Sequence, residues 1–287
     1  MIIVTGATGQ LGRAIVQKLV ERVPAARVGV SVRDPEKAAD LAALGVRVRR
    51  GDFGDREGLT HAFEGAEQVL FVSSNARAFG GDPLAQHQTA IDAAREVGAR
   101  RLVYTSHMAA KEGSLFHPMA DHVVTEAKLS RSGLAWTALR NGFYGASGLA
   151  MLGDLAAGVV EAPADGPVAW AAHVDLAEAA AVILAREGLF DGPTPPLTGA
   201  EVLDFADLAG LAAESLGHTV VRKTITDDEL RAKMAGRGVP GRVADIALGF
   251  YAASRNGEFG PTHPALGDLL GRPLTSMRDL MNEKFAR

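Results

Sequence analysis

Met1-Ile2-Ile3-Val4-Thr5-Gly6-Ala7-Thr8-Gly9-Gln10-Leu11-Gly12 decides the fold of this 287-residue chain. An apolar, β-branched run leads into three glycines at three-residue spacing. Leu11, Ile15 and Leu19, with Val16 and Val20, then repeat at helical period. The reading is strand, tight loop, helix. Such a junction suits a diphosphate, because glycines let the backbone approach the ligand and the first N–H groups of the helix point at the anion from its positive end. The glycine pattern is G-x-x-G-x-x-G, and its place after a strand and before a helix is the context a dinucleotide site requires.

Outward from that turn, short strands alternate with helices. Val28 to Val32 reads as a second buried strand, and Val46 to Arg50 as a third, edge-like one ending in Gly51-Asp52-Phe53. Leu59 to Phe63 begins a helical pattern. Gln68 to Asn75 is a buried strand closing in small polar residues, which suits backbone passing close to a ligand. A helix at about 84–97 stops at Gly98, Arg101 to Ser106 is a strand, a helix covers about 119–131, and Leu134 to Arg140 is another strand. This alternation predicts an α/β fold, a Rossmann doubly wound parallel sheet of order 3-2-1-4-5-6 with helices on both faces.

Beyond Tyr144 the alternation weakens. Val168 to Trp170 reads as a short strand, Val174 to Ala185 as an alanine-rich helix, Gly192 to Pro196 as a turn, Val202 to Leu216 as helix and Thr219 to Thr226 as strand. The expected organisation is a nucleotide-binding domain of residues 1–142 and 167–189, with a smaller substrate lobe of 143–166 and 190–287.

Composition narrows the function. With 47% hydrophobic residues the chain can bury a large core. A net charge of −4 and the lack of a long basic run argue against nucleic acid as partner. The sequence contains no cysteine, which excludes disulfides, thiolate nucleophiles and cysteine-ligated metals. No apolar run reaches the ~20 residues that span a bilayer, and no secretory leader is visible, so a soluble, cytoplasmic protein is expected. No metal site is read from His117 and His122.

Cofactor choice turns on the end of the second strand. Dinucleotide folds that hold a free ribose 2′-hydroxyl place an acid there, whereas a 2′-phosphate is met by an arginine. Residues 28–32 hold no acid. Asp34 before Pro35 reads as a helix N-cap, leaving Arg33 as the phosphate partner with Lys37 in reserve. The alternative for Arg33 is an exposed loop cation.

Carbonyl-reducing short-chain dehydrogenases pair a tyrosine with a lysine four residues on. Tyr104, Tyr144 and Tyr251 are followed at that distance by Met108, Gly148 and Arg255, so no such pair exists. Walker, H-E-x-x-H and G-x-S-x-G motifs are also absent. The helix in the corresponding place is polar: His122 shares a face with Glu126, and Thr125 shares another with Lys128. That pattern fits a solvated ion-pair face or a site holding His122 and Lys128 as catalytic candidates.

The glycine loop, Val32-Arg33-Asp34-Pro35-Glu36-Lys37, Gly51-Asp52, Tyr104-Thr105-Ser106, His122 with Thr125-Glu126, Leu139-Arg140-Asn141-Gly142-Phe143-Tyr144 and the closing Leu270-Gly271-Arg272-Pro273 together resemble the NmrA-like atypical short-chain dehydrogenases. Within them the likeness is to the bacterial NAD(P)H:quinone oxidoreductase type 2 group. It runs over nearly the whole chain. The resemblance implies a Rossmann domain binding NADPH, with NADH a permitted substitute. Gly6, Thr8, Gly9, Gln10, Leu11 and Gly12 would form the pyrophosphate turn, with Arg33 at the 2′-phosphate and Asp52 and Phe53 near adenine. Ser73, Ser74, Asn75 and Ser106 would lie along the cofactor, and Asn141, Gly142 and Phe143 by the nicotinamide. In the quinone reductases a lysine directly follows the Thr-Glu pair. Here that position is Ala127, and Lys128 is turned about 100° away.

The expected function is an NADPH-dependent reductase passing hydride to a quinone or other planar aromatic acceptor, which needs little acid assistance. Phe143 and Tyr144 would line the acceptor site, with the small residues that follow leaving room for a ring. The other reading is a redox-sensing NmrA-type regulator that binds the dinucleotide without turnover. A homodimer is compatible with either; no membrane partner is expected.

Overall fold

The structure, a computed structural model, describes residues 1–285. In chain order it forms β1 (Ile2–Thr5), α1 (Gln10–Val20), β2 (Val28–Val32), α2 (Ala39–Ala43), β3 (Arg47–Arg50), α3 (Arg56–Phe63), β4 (Gln68–Phe71), α4 (Pro83–Glu96), β5 (Arg101–His107), α5 (Pro118–Ser130) and β6 (Ala135–Asn141). There follow α6 (Gly145–Met151), β7 (Val159–Pro163), α7 (His173–Ala185), β8 (Gly192–Pro193), α8 (Phe205–Leu216), β9 (Val221–Ile225), α9 (Asp227–Gly236), α10 (Gly241–Arg255), α11 (Ala265–Leu270) and α12 (Met277–Phe285). The chain divides into two compact units. One comprises Met1–His107, Asp121–Asn141 and His173–Pro195; the other comprises Met108–Ala120, Gly142–Ala172 and Pro196–Arg287.

The first unit is the expected Rossmann sheet. Its described strands run β3-β2-β1-β4-β5-β6-β8, and every pairing is parallel. The seventh strand, β8, replaces part of the turn expected at 192–196: Thr137 and Ala138 pair with Gly192 and Pro193. On one face, Leu59 and Phe63 of α3 and Ile91 and Ala94 of α4 join Phe71, Leu102 and Tyr104 in one core. For the other face, α1 supplies Leu11, Ile15, Val16 and Leu19, all buried, and α7 is buried at nearly every position from Asp175 to Leu184. A helix apolar around most of its circumference must be covered on several sides, which accounts for the alanine-rich sequence of α7.

The second unit has its own core, in which Phe116, Trp170, Phe205, Phe250 and Phe259 are buried together. Phe116 and Met119 belong to it, which explains why Met108–Ala120 sits here rather than with the nucleotide-binding sequence on either side. β7, unanticipated in the sequence, pairs in parallel with β9 from Val159↔Val221 to Pro163↔Ile225. The strand expected at Val168–Trp170 reduces to a single bridge between Val168 and Leu203. The helix expected from Val202 starts at Phe205, because the Asp204 carboxylate caps it and Asp207 closes a capping box.

The run after Tyr144 is a helix, and its glycines serve packing rather than a ring-sized space. A β-carbon on Gly145 would stand 2.6 Å from Leu280 Cδ1, and one on Gly148 would stand 3.1 Å from the Trp170 ring.

The tightest junction of the first unit joins α1 to the end of β1. A β-carbon on Gly12 would overlap the Gly6 carbonyl oxygen, and Gly6 holds φ at +63°. Backbone on both sides leaves nothing to yield. Gly12→Ala should therefore cost about 1–3 kcal/mol, the range for overpacking a core, and lower Tm by several degrees. Thermal unfolding followed by circular dichroism checks this; an unchanged Tm would show that α1 can shift freely.

Candidate functional site: a cleft at the switch point of the sheet

β1 lies between β2 and β4, so the connections leave its carboxyl end in opposite directions and open a crevice there. A cavity of about 620 Å³ occupies that place. Its walls come from strand carboxyl ends: Thr5 with Gly6, Thr8 and Gly9 after β1, Ser31 to Arg33 at β2, Gly51 to Phe53 at β3, and Val72 to Ala76 after β4. Phe79, Gly81 and Gln86 complete the lining at one side, and Leu59 at another.

The glycine turn is shaped for an anion. Gly9 N–H donates to Gly6 O at 2.9 Å, and Gly9 sits at the N-cap of α1 with no side chain to satisfy the helix's first N–H groups. α3, α4, α8 and α9 are instead capped by Asp55, Asp82, Asp204 and Thr226. The orphan donors of α1 are thus those that open on the cleft. A β-carbon on Gly9 would meet only Gly6 O, at 3.3 Å, so that position faces space. Thr8, Gly9 and Gln10 are exposed, whereas Leu11 and Gly12 are buried and act through packing.

Arg33 lines the cavity, is exposed, and has no hydrogen-bond or ion-pair partner among the described residues. Asp34 is the N-cap its sequence suggests, accepting from Glu36 N–H at 3.2 Å. Lys37 stands 3.4 Å from Asp34 and is absent from the cleft wall. Arg13, which sequence reasoning missed, ties α1 to this segment through Asp40 and donates to Lys37 O at 2.7 Å. Asp52 accepts from Gly54 N–H at 2.8 Å, which turns the chain so that Phe53 joins the wall. Ser31 Oγ is buried on the same wall with no partner among the described residues. An uncapped helix end, a lone guanidinium and an orphaned hydroxyl together fit a phosphorylated nucleoside.

The wall after β4 is fixed by side chains to which the sequence reading gave no such role, His87 and Gln86 among them. Three successive amides donate to buried acceptors: Val72 N–H to Thr5 Oγ1 at 3.1 Å, Ser73 N–H to Thr105 Oγ1 at 2.8 Å, and Ser74 N–H to His87 Nε2 at 2.9 Å. Because Nε2 accepts, Nδ1 of His87 carries the proton and donates to Thr125 Oγ1 at 2.8 Å; Thr125 in turn donates to Asp121 O. Burial, with Lys128 nearby, holds the His87 pKa down to about 4. The Ser74 hydroxyl donates to Gln86 Oε1.

At β5, β6 and α5 the expected catalytic helix resolves into separate networks. The Tyr104 hydroxyl lies 2.8 Å from His122 Nδ1, and desolvation, helped by His87, holds His122 down to about 3. Burial does the same to His107, whose ring stands 6.2 Å from that of His122. Glu126 accepts from Ser106 Oγ at 2.6 Å and from Arg140 Nη2 at 2.7 Å, so Ser106 is committed to an internal ion pair and does not line the cavity. Lys128 Nζ donates to Leu84 O at 3.1 Å at the start of α4, which takes it away from His122. Asn141 is buried at the end of β6, and its Oδ1 has no partner among the described residues.

Of the residues expected by the nicotinamide, Gly142 and Phe143 lie in the second unit. Gly142 is packed against the backbone of Leu197 and Thr198. Phe143 stands in the aromatic cluster, 4.8 Å from Phe250 and 5.1 Å from Phe259, so its ring serves that core rather than an open acceptor wall. Tyr144 is half-buried and bridges to Ala171.

The glycine turn at the switch point of a parallel sheet, with its phosphate-suited wall, defines a dinucleotide-binding Rossmann protein. A family profile described as NAD(P)H-binding matches residues 6–153, and the chain belongs to the NAD(P)H-binding, NmrA-like family. Quinone oxidoreductase 2 of Escherichia coli is 35% identical over 289 residues, covering 99% of both chains. Its crystal structure with NADPH superimposes with a TM-score of 0.89 at 33% identity, over 99% of this chain and 100% of that one. Citrobacter triphenylmethane reductase complexed with NADP(H) gives 0.88 at 32%, over 99% of each. The NAD(P)H azoreductase of Xenophilus azovorans is 27% identical over 95% of this chain and 94% of its own. The protein is an NAD(P)H-dependent oxidoreductase.

Two outcomes are expected. Gly9→Val places a branched side chain in the cleft with little backbone obstruction, so it should abolish NADPH binding in calorimetry while Tm stays near wild type. Normal binding by this variant would put the dinucleotide elsewhere. Separately, the unfolded chain takes up protons on His87, His107 and His122 near pH 6.5, whereas the folded chain resists until about 4, 3 and 3. Between those values the unfolded state binds more protons. Stability should be full above about pH 6.5 and fall as pH drops below it, by up to about 1.4 kcal/mol per pH unit for each histidine. Urea midpoints compared at pH 7 and 5.5 test this; equal midpoints would contradict neutral buried rings.

Proposed function

We propose that this oxidoreductase prefers NADPH and passes hydride to a planar, electron-poor acceptor of quinone type. The observation that carries the cofactor preference is Arg33, a cleft-lining guanidinium with no partner among the described residues, beside a strand end without an acid. A 2′-phosphate would meet that charge with a bidentate contact. The buried, unpartnered Asn141 amide oxygen is proposed to meet the nicotinamide carboxamide, and Ser73 to Asn75 to run beside the cofactor.

The bound cofactor supplies the hydride. What the chain supplies around it is weakly acidic: Tyr104 and His122 form a neutral pair, and no Tyr-Lys pair exists to protonate an alkoxide. His122 can donate or accept a hydrogen bond but is not an imidazolium at neutral pH. That favours an acceptor whose reduced form delocalises its charge and takes its proton from water. The relatives' names point to conjugated acceptors of this general kind: a quinone, triphenylmethane dyes and an azo compound.

The test is NADPH and NADH oxidation with a naphthoquinone. Turnover should favour NADPH, and Arg33→Ala should erase about tenfold to a hundredfold of that preference, the worth of one charge-assisted phosphate contact. His122→Ala should lose activity only in part. A protein that binds NADPH yet oxidises none with the quinone would favour a sensor of the NmrA type; equal use of both cofactors would remove Arg33 from the 2′-phosphate.

A further inference from the structure

Phe79 is the most exposed of the large hydrophobic side chains, at 75%, and it lines the cleft. Scattered exposed aromatics need no explanation, but this one stands on a short segment whose anchoring is unusual for a surface loop. Residues Ala76–Phe79 form one 3₁₀ turn that ends on Gly80 at φ +80°, a left-handed residue that reverses the chain. Two residues before the phenylalanine, Arg77 is clamped in a bidentate ion pair by Asp121 of α5, with Nε at 2.8 Å and Nη2 at 2.5 Å. Three residues before that, Ser74 is held by His87 and Gln86. Gly81 N–H closes the turn on Ala76 O at 2.9 Å. The protein thus fixes both ends of the segment and leaves its large apolar side chain uncovered beside a cavity of mixed polar and apolar lining.

The rest of the lining says which part of a dinucleotide this ring would meet. The cavity is walled by the ends of β1 to β4, with Arg33 and Asp52–Phe53 among its residues, and includes no residue of β5 or β6. That is the adenosine and diphosphate half of the crevice. We infer that Phe79 is a cofactor-binding residue that covers the adenosine half of NADPH, an apolar face to set against the polar contacts of Arg33 and Ser31. Aromatic cover of a base tolerates the exposure seen without ligand, since the ring's hydrophobic surface is removed from water only on binding.

The inference rests on the dinucleotide occupying this cleft, and the experiment separates the two. Dissociation constants for NADPH and for adenosine 2′,5′-bisphosphate, which lacks the nicotinamide half, are measured for wild type, Phe79→Ala, Phe79→Trp, Gly9→Val and Leu189→Ala. Leu189 is another exposed hydrophobic, and it lies outside the cleft. Phe79→Ala should weaken both ligands by the same factor, about five- to 150-fold, the span measured for base–aromatic stacking. Phe79→Trp should restore binding, and its added indole fluorescence should be quenched by the bisphosphate. Leu189→Ala should bind as wild type. If Phe79→Ala binds both ligands normally while Gly9→Val loses NADPH, the inference fails and the cleft assignment stands. If Phe79→Ala weakens NADPH alone, the ring lies over the nicotinamide half and the inference is overturned. If Gly9→Val also binds normally, the cleft assignment itself is wrong.

Discussion

The contact of α1 with the first turn, backbone against backbone at Gly12 and Gly6, is the constraint on which the nucleotide-binding unit depends. Helix N–H groups can address an anion only if the helix begins immediately above the strand end. That closeness is possible only where residue 12 has no β-carbon and residue 6 can take a left-handed φ. Once α1 is set there, its apolar stripe of Leu11, Ile15, Val16 and Leu19 is committed to burial, and α7 completes that layer. The parallel order on both sides of β1 then follows from where each crossover helix can pack.

The same economy of backbone governs the opposite wall. Strand β4 ends after Phe71, and the next three amides would be orphaned at a cavity edge if nothing accepted them. Thr5, Thr105 and His87 accept one each, so the wall is rigid before any ligand arrives and its N–H groups are not offered to one. Contact along this wall is left to side chains and carbonyls. Two of the three acceptors could not have been found by motif: Thr105 is separated from Ser73 by a whole helix and strand, and His87 sits on a helix with no polar pattern pointing at it. Only the parallel register of β4 with β5 brings the former into reach.

What the sequence made legible was what periodicity and turn chemistry encode. The glycine turn, the buried β2 and β4, the N-cap role of Asp34 and the free Arg33 are local signals, each readable within a few residues. Misreadings came where one local pattern served a distant partner. The glycines after Tyr144 read as space for a ligand, but they make room for Trp170, Met277 and Leu280. Phe143 follows a motif that points to the nicotinamide, yet its ring is drawn among four aromatic rings, Phe116, Trp170, Phe250 and Phe259, the last two more than a hundred residues away. Short β7, Val159-Val160-Glu161-Ala162-Pro163, is buried at the alternate positions Val160 and Ala162, but five residues with adjacent valines and a closing proline show little of that alternation in sequence.

The polar face of α5 shows how one spacing can conceal several functions. His122, Thr125, Glu126 and Lys128 read as two pairs on one helix, and each goes to a different partner: Tyr104, His87, Arg140 with Ser106, and Leu84 O. All of these links fasten α5 to β5, β6 and α4. The Glu126–Arg140 pair joins two sequence motifs that each look functional in isolation, and it joins them by neutralising both charges. The Glu126 carboxylate is engaged by Arg140 and Ser106, and burial holds the His87 and His122 imidazoles well below their ordinary pKa, so this face of α5 offers fixed position and hydrogen-bonding polarity rather than an imidazolium at neutral pH.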